Sequence, residues 1–276
     1  MAGQAAGDLA GFTAILDGAS GGIVVVSAHP DDETIGIGGH LPLLSCVAIV
    51  HITDGAPRSL HDARRYGFST WQAYAEARRS ELADAVALAG VDRSQLLELS
   101  IADQDAARQM PEITGSLVAI FTEHAPRFAL THPFEGGHPD HDATAFSVHA
   151  ACRILTAKGR AAPAIIEMPS YHLGADGPVR QRFAAPEGAV LTKSLSADQQ
   201  ALKQRMLACF RTQQQTLAPF TSAEELFRQA PRYDFCDLPN GGRLLYETFD
   251  SGLDGPSWKR LARHAETWLE AELSAC

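Results

Sequence analysis

Ile23-Val24-Val25-Val26-Ser27-Ala28-His29-Pro30-Asp31-Asp32-Glu33 decides the fold of this chain. An apolar, β-branched run stops at a polar turn stiffened by proline. That pattern predicts a short strand buried on both faces. In doubly wound α/β sheets the ligand crevice lies just past such strand ends, so the turn itself is a candidate for chemistry.

Working outward, residues 1–22 are rich in Gly and Ala with weak periodicity, and are expected to form a loose N-terminal arm or a short leading helix. A single domain is expected over 23–276. Residues 34–45 predict a short helix. A second apolar run, Val47 to Ile52, closes on Thr53-Asp54-Gly55, a turn signature. From Thr70 to Leu88, Tyr74, Ala77, Leu82, Ala85 and Leu88 fall on one helical stripe, with Gly90 as the stop. Strands follow near 96–101, 128–131 and 165–168, alternating with helices near 112–124 and after Pro139. Helices are expected near 197–217 and 257–273. Repeated strand–helix order implies an α/β chain with a doubly wound, mostly parallel sheet and helices on both faces.

Composition narrows the partners. Over 276 residues the net charge is −10, which opposes binding to a phosphate backbone, so no nucleic-acid partner is expected. The first 25 residues carry no Lys or Arg, and no apolar run approaches the roughly 20 residues that cross a bilayer. No stable membrane insertion is therefore expected. Five scattered cysteines without CxxC spacing predict no disulfide framework and a reducing, cytoplasmic setting.

Two segments carry the chemistry: His29-Pro30-Asp31-Asp32-Glu33 and His138-Pro139-Asp140-His141, each after a predicted core strand. Alone, either is ordinary turn chemistry. Together they bring imidazoles and carboxylates to one sheet end, where burial is costly unless a metal or partner compensates them. Two histidines and one carboxylate make a hydrolytic zinc site with a position left for water. A neighbouring carboxylate can take that water's proton. The same donor set also suits a non-haem Fe(II) oxygenase, which remains the alternative. Gly36-Ile37-Gly38-Gly39 does not complete a dinucleotide fingerprint, because Leu41 stands where the last glycine belongs.

Ala28–Glu33 and His138–His141 resemble the signature segments of the PIG-L/LmbE-like zinc-dependent N-deacetylases. Further similarity lies in Thr53-Asp54-Gly55, Arg78 with Glu81, Asp103, Lys203 to Gln213, and Tyr246 to Phe249. The resemblance implies a Rossmann-like fold and a C–N hydrolase that removes an N-acyl group, chiefly acetyl, from an amino sugar, glycolipid, glycoside or glycopeptide. It implies Zn²⁺ on His29, Asp32 and His141, and Asp31 as general base. His138 would stabilise the oxyanion or protonate the leaving amine, with Asp140 orienting it. Some members place a tyrosine two residues before the first histidine of the second segment; Gly136 stands there in this chain.

Arg78 sits at the centre of the inward helical stripe, with Glu81 beside it. It is expected to be held by Glu81 and to bind substrate, with Asp103 also at the substrate. His132 and His172 fall near strand ends and are candidates to line the pocket; the remaining histidines are expected to be structural or surface residues. The partner is then an N-acylated small molecule, and a homo-oligomer is compatible with the sequence.

Overall fold

The computed structural model describes residues 2–44, 46–185, 188–220 and 223–276, and says nothing of the side chains at 2–7, 46 and 47. Helix α1 (Ala2–Leu16) leads into strand β1 (Ile23–Ser27) and helix α2 (Asp32–Ile37). Strand β2 (Cys46–Pro57), the short helix α3 (His61–Arg65), helix α4 (Trp71–Ala87) and strand β3 (Leu96–Asp103) follow. Then come α5 (Met110–His124), β4 (Phe128–Thr131), α6 (Pro139–Ala157) and β5 (Ala164–Glu167). Strands β6 (Tyr171–Leu173), β7 (Pro178–Arg180) and β8 (Val190–Ser194) precede α7 (Ala197–Cys209), α8 (Gln214–Leu217), β9 (Glu224–Gln229) and α9 (Gly255–Ser274).

The main sheet has the order β3-β2-β1-β4-β5-β9-β8. Its first five strands are parallel, and β9 and β8 extend it antiparallel. Valines 24 to 26 of β1 are fully buried, because helices cover both sheet faces. One apolar core packs α5, α6 and α9 on one face; the other gathers α1, α2, α4 and α7. Strand order reverses direction between β1 and β4, which opens a crevice at their C-terminal ends.

Four expectations change. The leading segment is no loose arm: Phe12, Ile15 and Leu16, at helical spacing, are buried in the second core. Each such burial is worth about 1.5–3 kcal/mol. Thr53-Asp54-Gly55 is no turn, since β2 runs on to Pro57 and pairs with Asp103. The helix expected over 197–217 breaks at Phe210. The short helix expected from Thr34 gives way to a 3-10 turn at Leu41–Leu43, and Ser45 lies outside the described residues. Cys152, Cys209, Cys236 and Cys276 are free thiols. No described helix is long and apolar enough to cross a membrane.

Candidate active site

The turn after β1 is pinned before it carries any chemistry. Ala28 O accepts from the backbone N–H and hydroxyl of Thr53, and Ala28 N donates to His132 Nε2. Asp32, the first residue of α2, folds its carboxylate back onto the His29 backbone N–H at 2.8 Å. Across the crevice, His138 caps α6 and accepts the Asp140 N–H, with Pro139 in the first turn. Buried Asp142 fixes the approach to that helix by accepting from Glu135 N and Gly136 N.

These two helix starts bring three donor atoms into a triangle. His29 Nδ1 lies 3.2 Å from His141 Nε2 and 3.3 Å from Asp32 Oδ2, and the third edge is 3.4 Å. Tetrahedral ligands at about 2.0–2.2 Å from zinc stand about 3.3–3.6 Å apart, so the triangle fits such an ion. Burial pushes the Asp32 carboxyl up, but His141 and His132 outweigh it and hold Asp32 well below the usual carboxylate range. Asp32 therefore stays an anion.

A second donor set, His29 with Asp103, His138 and Asp140, shares His29 with the first. A neutral imidazole has one lone pair, so it can serve only one set. The opposite nitrogen decides. His29 Nε2 faces Asp140 Oδ2 at 3.2 Å, and that carboxylate also accepts from Gln104 N and Ala106 N. A carboxylate so anchored draws the imidazole proton to Nε2 and leaves Nδ1 free for the triangle. Asp140, expected to orient His138, meets it through its backbone N–H and with its carboxylate 3.8 Å from His138 Nδ1, and the same carboxylate lies closer to His29. Asp103 Oδ1 also approaches His29 Nε2, at 3.3 Å.

Asp31 sits beside the triangle with φ 150° and ψ −23°, a region L-residues rarely occupy and one found mostly at functional sites. Burial raises its carboxyl to about 8, against the pull of Arg78. Arg78 is buried, as its place on the inward stripe predicts, but not with Glu81. Its guanidinium donates to Gly55 O, Pro30 O and Asp31 Oδ2. Gly55 makes this possible: at φ +64° a Cβ would lie 2.3 Å from Arg78 Nη1. Glu81 instead accepts the N–H and hydroxyl of Thr212.

The cluster opens into a cleft of about 360 Å³ lined by His29, Asp31, Asp32, Arg78, Asp103 and His138, and further by residues the sequence did not single out. Among these are Asp62, Tyr171, Leu217 and Phe220, and Phe249 from the segment of family similarity joins them. Phe249 stacks on His138, with ring centroids 5.8 Å apart. Cavities of about 650 and 870 Å³ elsewhere contain none of the clustered histidines and aspartates, so chemistry and not size identifies the site. His132 stacks on His141 at 4.0 Å without lining the cleft, whereas His172 lies 3.8 Å from Glu135, away from it. Burial pushes the His138 imidazole down to about 3, helped by His29, and leaves it neutral.

Solved structures share this fold. The zinc-inhibited form of teicoplanin deacetylase Orf2 is 15% identical, with TM-score 0.58, covering 77% of this chain and 99% of that one. N,N'-diacetylchitobiose deacetylase from Pyrococcus horikoshii is 19% identical, with TM-score 0.55 and coverage of 77% and 84%. GalB, the 4-carboxy-2-hydroxymuconate hydratase from Pseudomonas putida, is 18% identical, with TM-score 0.52 and coverage of 78% and 98%. A sequence search of curated proteins gives no match. Residues 24–152, which hold both signature segments, match the family model described as PIG-L, GlcNAc-PI de-N-acetylase. Residues 24–152 are thus similar to the PIG-L family model, and the chain has the mostly parallel α/β fold of these solved structures.

Proposed function

We propose that the protein is a zinc-dependent hydrolase that removes an N-acyl group, chiefly acetyl, from an amino sugar or a sugar-bearing small molecule. The observation that carries this reading is the triangle of His29 Nδ1, Asp32 Oδ2 and His141 Nε2 with Asp31 beside it. When bound there, zinc lowers the pKa of water and polarises a carbonyl. Asp31, whose proton affinity is raised by burial, takes the proton from the attacking water. Neutral His138 offers its N–H to the oxygen that gains negative charge, and Asp31 hands the proton it took from water to the departing amine. Asp140 and Asp103 hold His29 in the tautomer that frees Nδ1. Arg78 acts on Asp31, with contacts to Gly55 O, Pro30 O and Asp31 Oδ2 that fix its guanidinium at the wall of the cleft.

The deacetylases that share the fold support amide hydrolysis; the hydratase shows that the fold alone does not dictate it. The test is release of acetate from N-acetylglucosamine glycosides, with zinc content measured on the same sample. One zinc per chain, loss of turnover on chelation and recovery on reloading are the expected results. Turnover that requires oxygen would favour the oxygenase alternative, and hydration of an unsaturated acid without amide cleavage would favour a hydratase.

A further inference from the structure

The cleft has two walls of different character. Ile35, Tyr171, Leu217 and Phe220 belong to one apolar cluster and line it on the side where Tyr171 packs 5.1 Å from the His141 ring. The polar part of the lining holds Asp31, Arg78 and Asp103, with Asp103 3.3 Å from His29. Half-buried Asp62, on α3, also lines the cleft. The buried Tyr74 phenol interacts electrostatically with Arg78, Asp62 and Asp103, which places these groups in one neighbourhood.

Charge on this side is unbalanced. Four lining carboxylates (Asp31, Asp32, Asp62 and Asp103) face one guanidinium. Arg78 is 4% exposed and already pairs with Asp31. A divalent ion on the triangle offsets two of the remaining carboxylates, leaving one negative charge in excess among these groups. No salt bridge is formed by Asp62 with any described residue, and no cation lining the cleft is free to meet a phosphate or carboxylate. Arg180, 5.9 Å from the Phe220 ring, is outside the lining.

We infer that the cleft selects N-acylated amines carrying a second, positive charge near the scissile amide, with Asp62 as the residue that reads it. The acyl group lies against Tyr171, Leu217 and Phe220; the amine half, which leaves as an ammonium, lies toward Asp62 and Asp103. This inference rests on the hydrolase reading and adds the charge and orientation of the substrate to it.

The test uses the zinc-loaded protein and three matched N-acetylglucosamine glycosides, 2-aminoethyl, 2-hydroxyethyl and carboxymethyl, followed by acetate release. The aminoethyl glycoside should exceed the carboxymethyl one in kcat/KM by about tenfold at low salt. Asp62→Asn should lower kcat/KM for the aminoethyl glycoside about threefold to fivefold, through KM, and leave the hydroxyethyl glycoside unchanged. Acetate release that ignores charge, or an Asp62→Asn effect equal on all three, overturns the inference while the hydrolase reading stands. Acetate from none of them counts against the hydrolase reading on amino sugars. Calorimetric titration of the same glycosides then reads the charge order without turnover, and equal or reversed affinities for the aminoethyl and carboxymethyl glycosides refute the inference independently.

Discussion

Helix α2 is six residues long and has a buried charge cluster at each end. Past its C-terminal end, Glu225 accepts from Gly39 N, Lys203 Nζ and His40 Nδ1, and Lys203 also donates to Ile35 O. The Lys203 and Glu225 charges cancel, and every contact is closed at 2.7–2.8 Å. At its N-terminal end, Asp31, Asp32, Asp103 and Asp140 crowd around His29 and His141 with Arg78 as the one guanidinium. Both clusters are buried and both join distant segments. What separates them is completeness: the first pairs its charges, and the second gathers carboxylates and imidazoles into a donor set that could hold a metal ion.

The contrast sets the expected effects. Replacing a triangle ligand, as in Asp32→Asn, should abolish zinc binding and amide cleavage together. The melting temperature of the metal-free protein should not fall, because one carboxylate leaves a crowded site. A large thermal loss on Asp32→Asn would make this cluster a scaffold like the other. Asp31→Asn should keep the metal and lower kcat by about 10²–10⁴. Loss of zinc in that variant would make Asp31 a ligand.

At the other end the pattern should invert. Lys203→Met leaves Glu225 without its full charge partner and should cost about 3–5 kcal/mol of stability in chemical denaturation. The kcat of the surviving folded protein should be unchanged. Smallest of the four, Asp140→Asn weakens the grip on His29 Nε2 and should lower zinc affinity about 10–100-fold in a competition titration. Unchanged affinity would remove Asp140 from the support of the metal site.

Much of the catalytic end is legible in sequence because its parts are local. His29, Asp31 and Asp32 follow one apolar run, and His138, Asp140 and His141 open one helix, so two short segments carry most of the site. What the sequence concealed depends on long-range packing. Arg78 was legible as inward-facing from helical spacing, but its partners Gly55 and Pro30 come from two other strand ends. The stretch at 53–55 imitates a turn because Gly55 needs a positive φ; the glycine is there to admit the Arg78 guanidinium, and the strand continues past it. Strand β9, Glu-Glu-Leu-Phe-Arg-Gln, has no clean alternation, since Glu225 and Arg228 point into buried ion pairs that a polar pattern assigns to solvent. Leu217 and Phe220 look like ordinary apolar residues until the cleft wall is assembled.

On the proposed reading, the convergent triangle also ties the life of the chain to the supply of a metal. An ion that binds the folded protein and not the unfolded one adds about 2.7 kcal/mol of stability at a hundredfold excess over its Kd. Because two of the donors follow directly on β1, the middle one of the five parallel strands, that stabilisation acts on the sheet and not on a surface loop. Where the cation is scarce, the unfolded fraction that proteases clear would rise accordingly. Abundance of the enzyme would then follow metal availability even with no change in its synthesis.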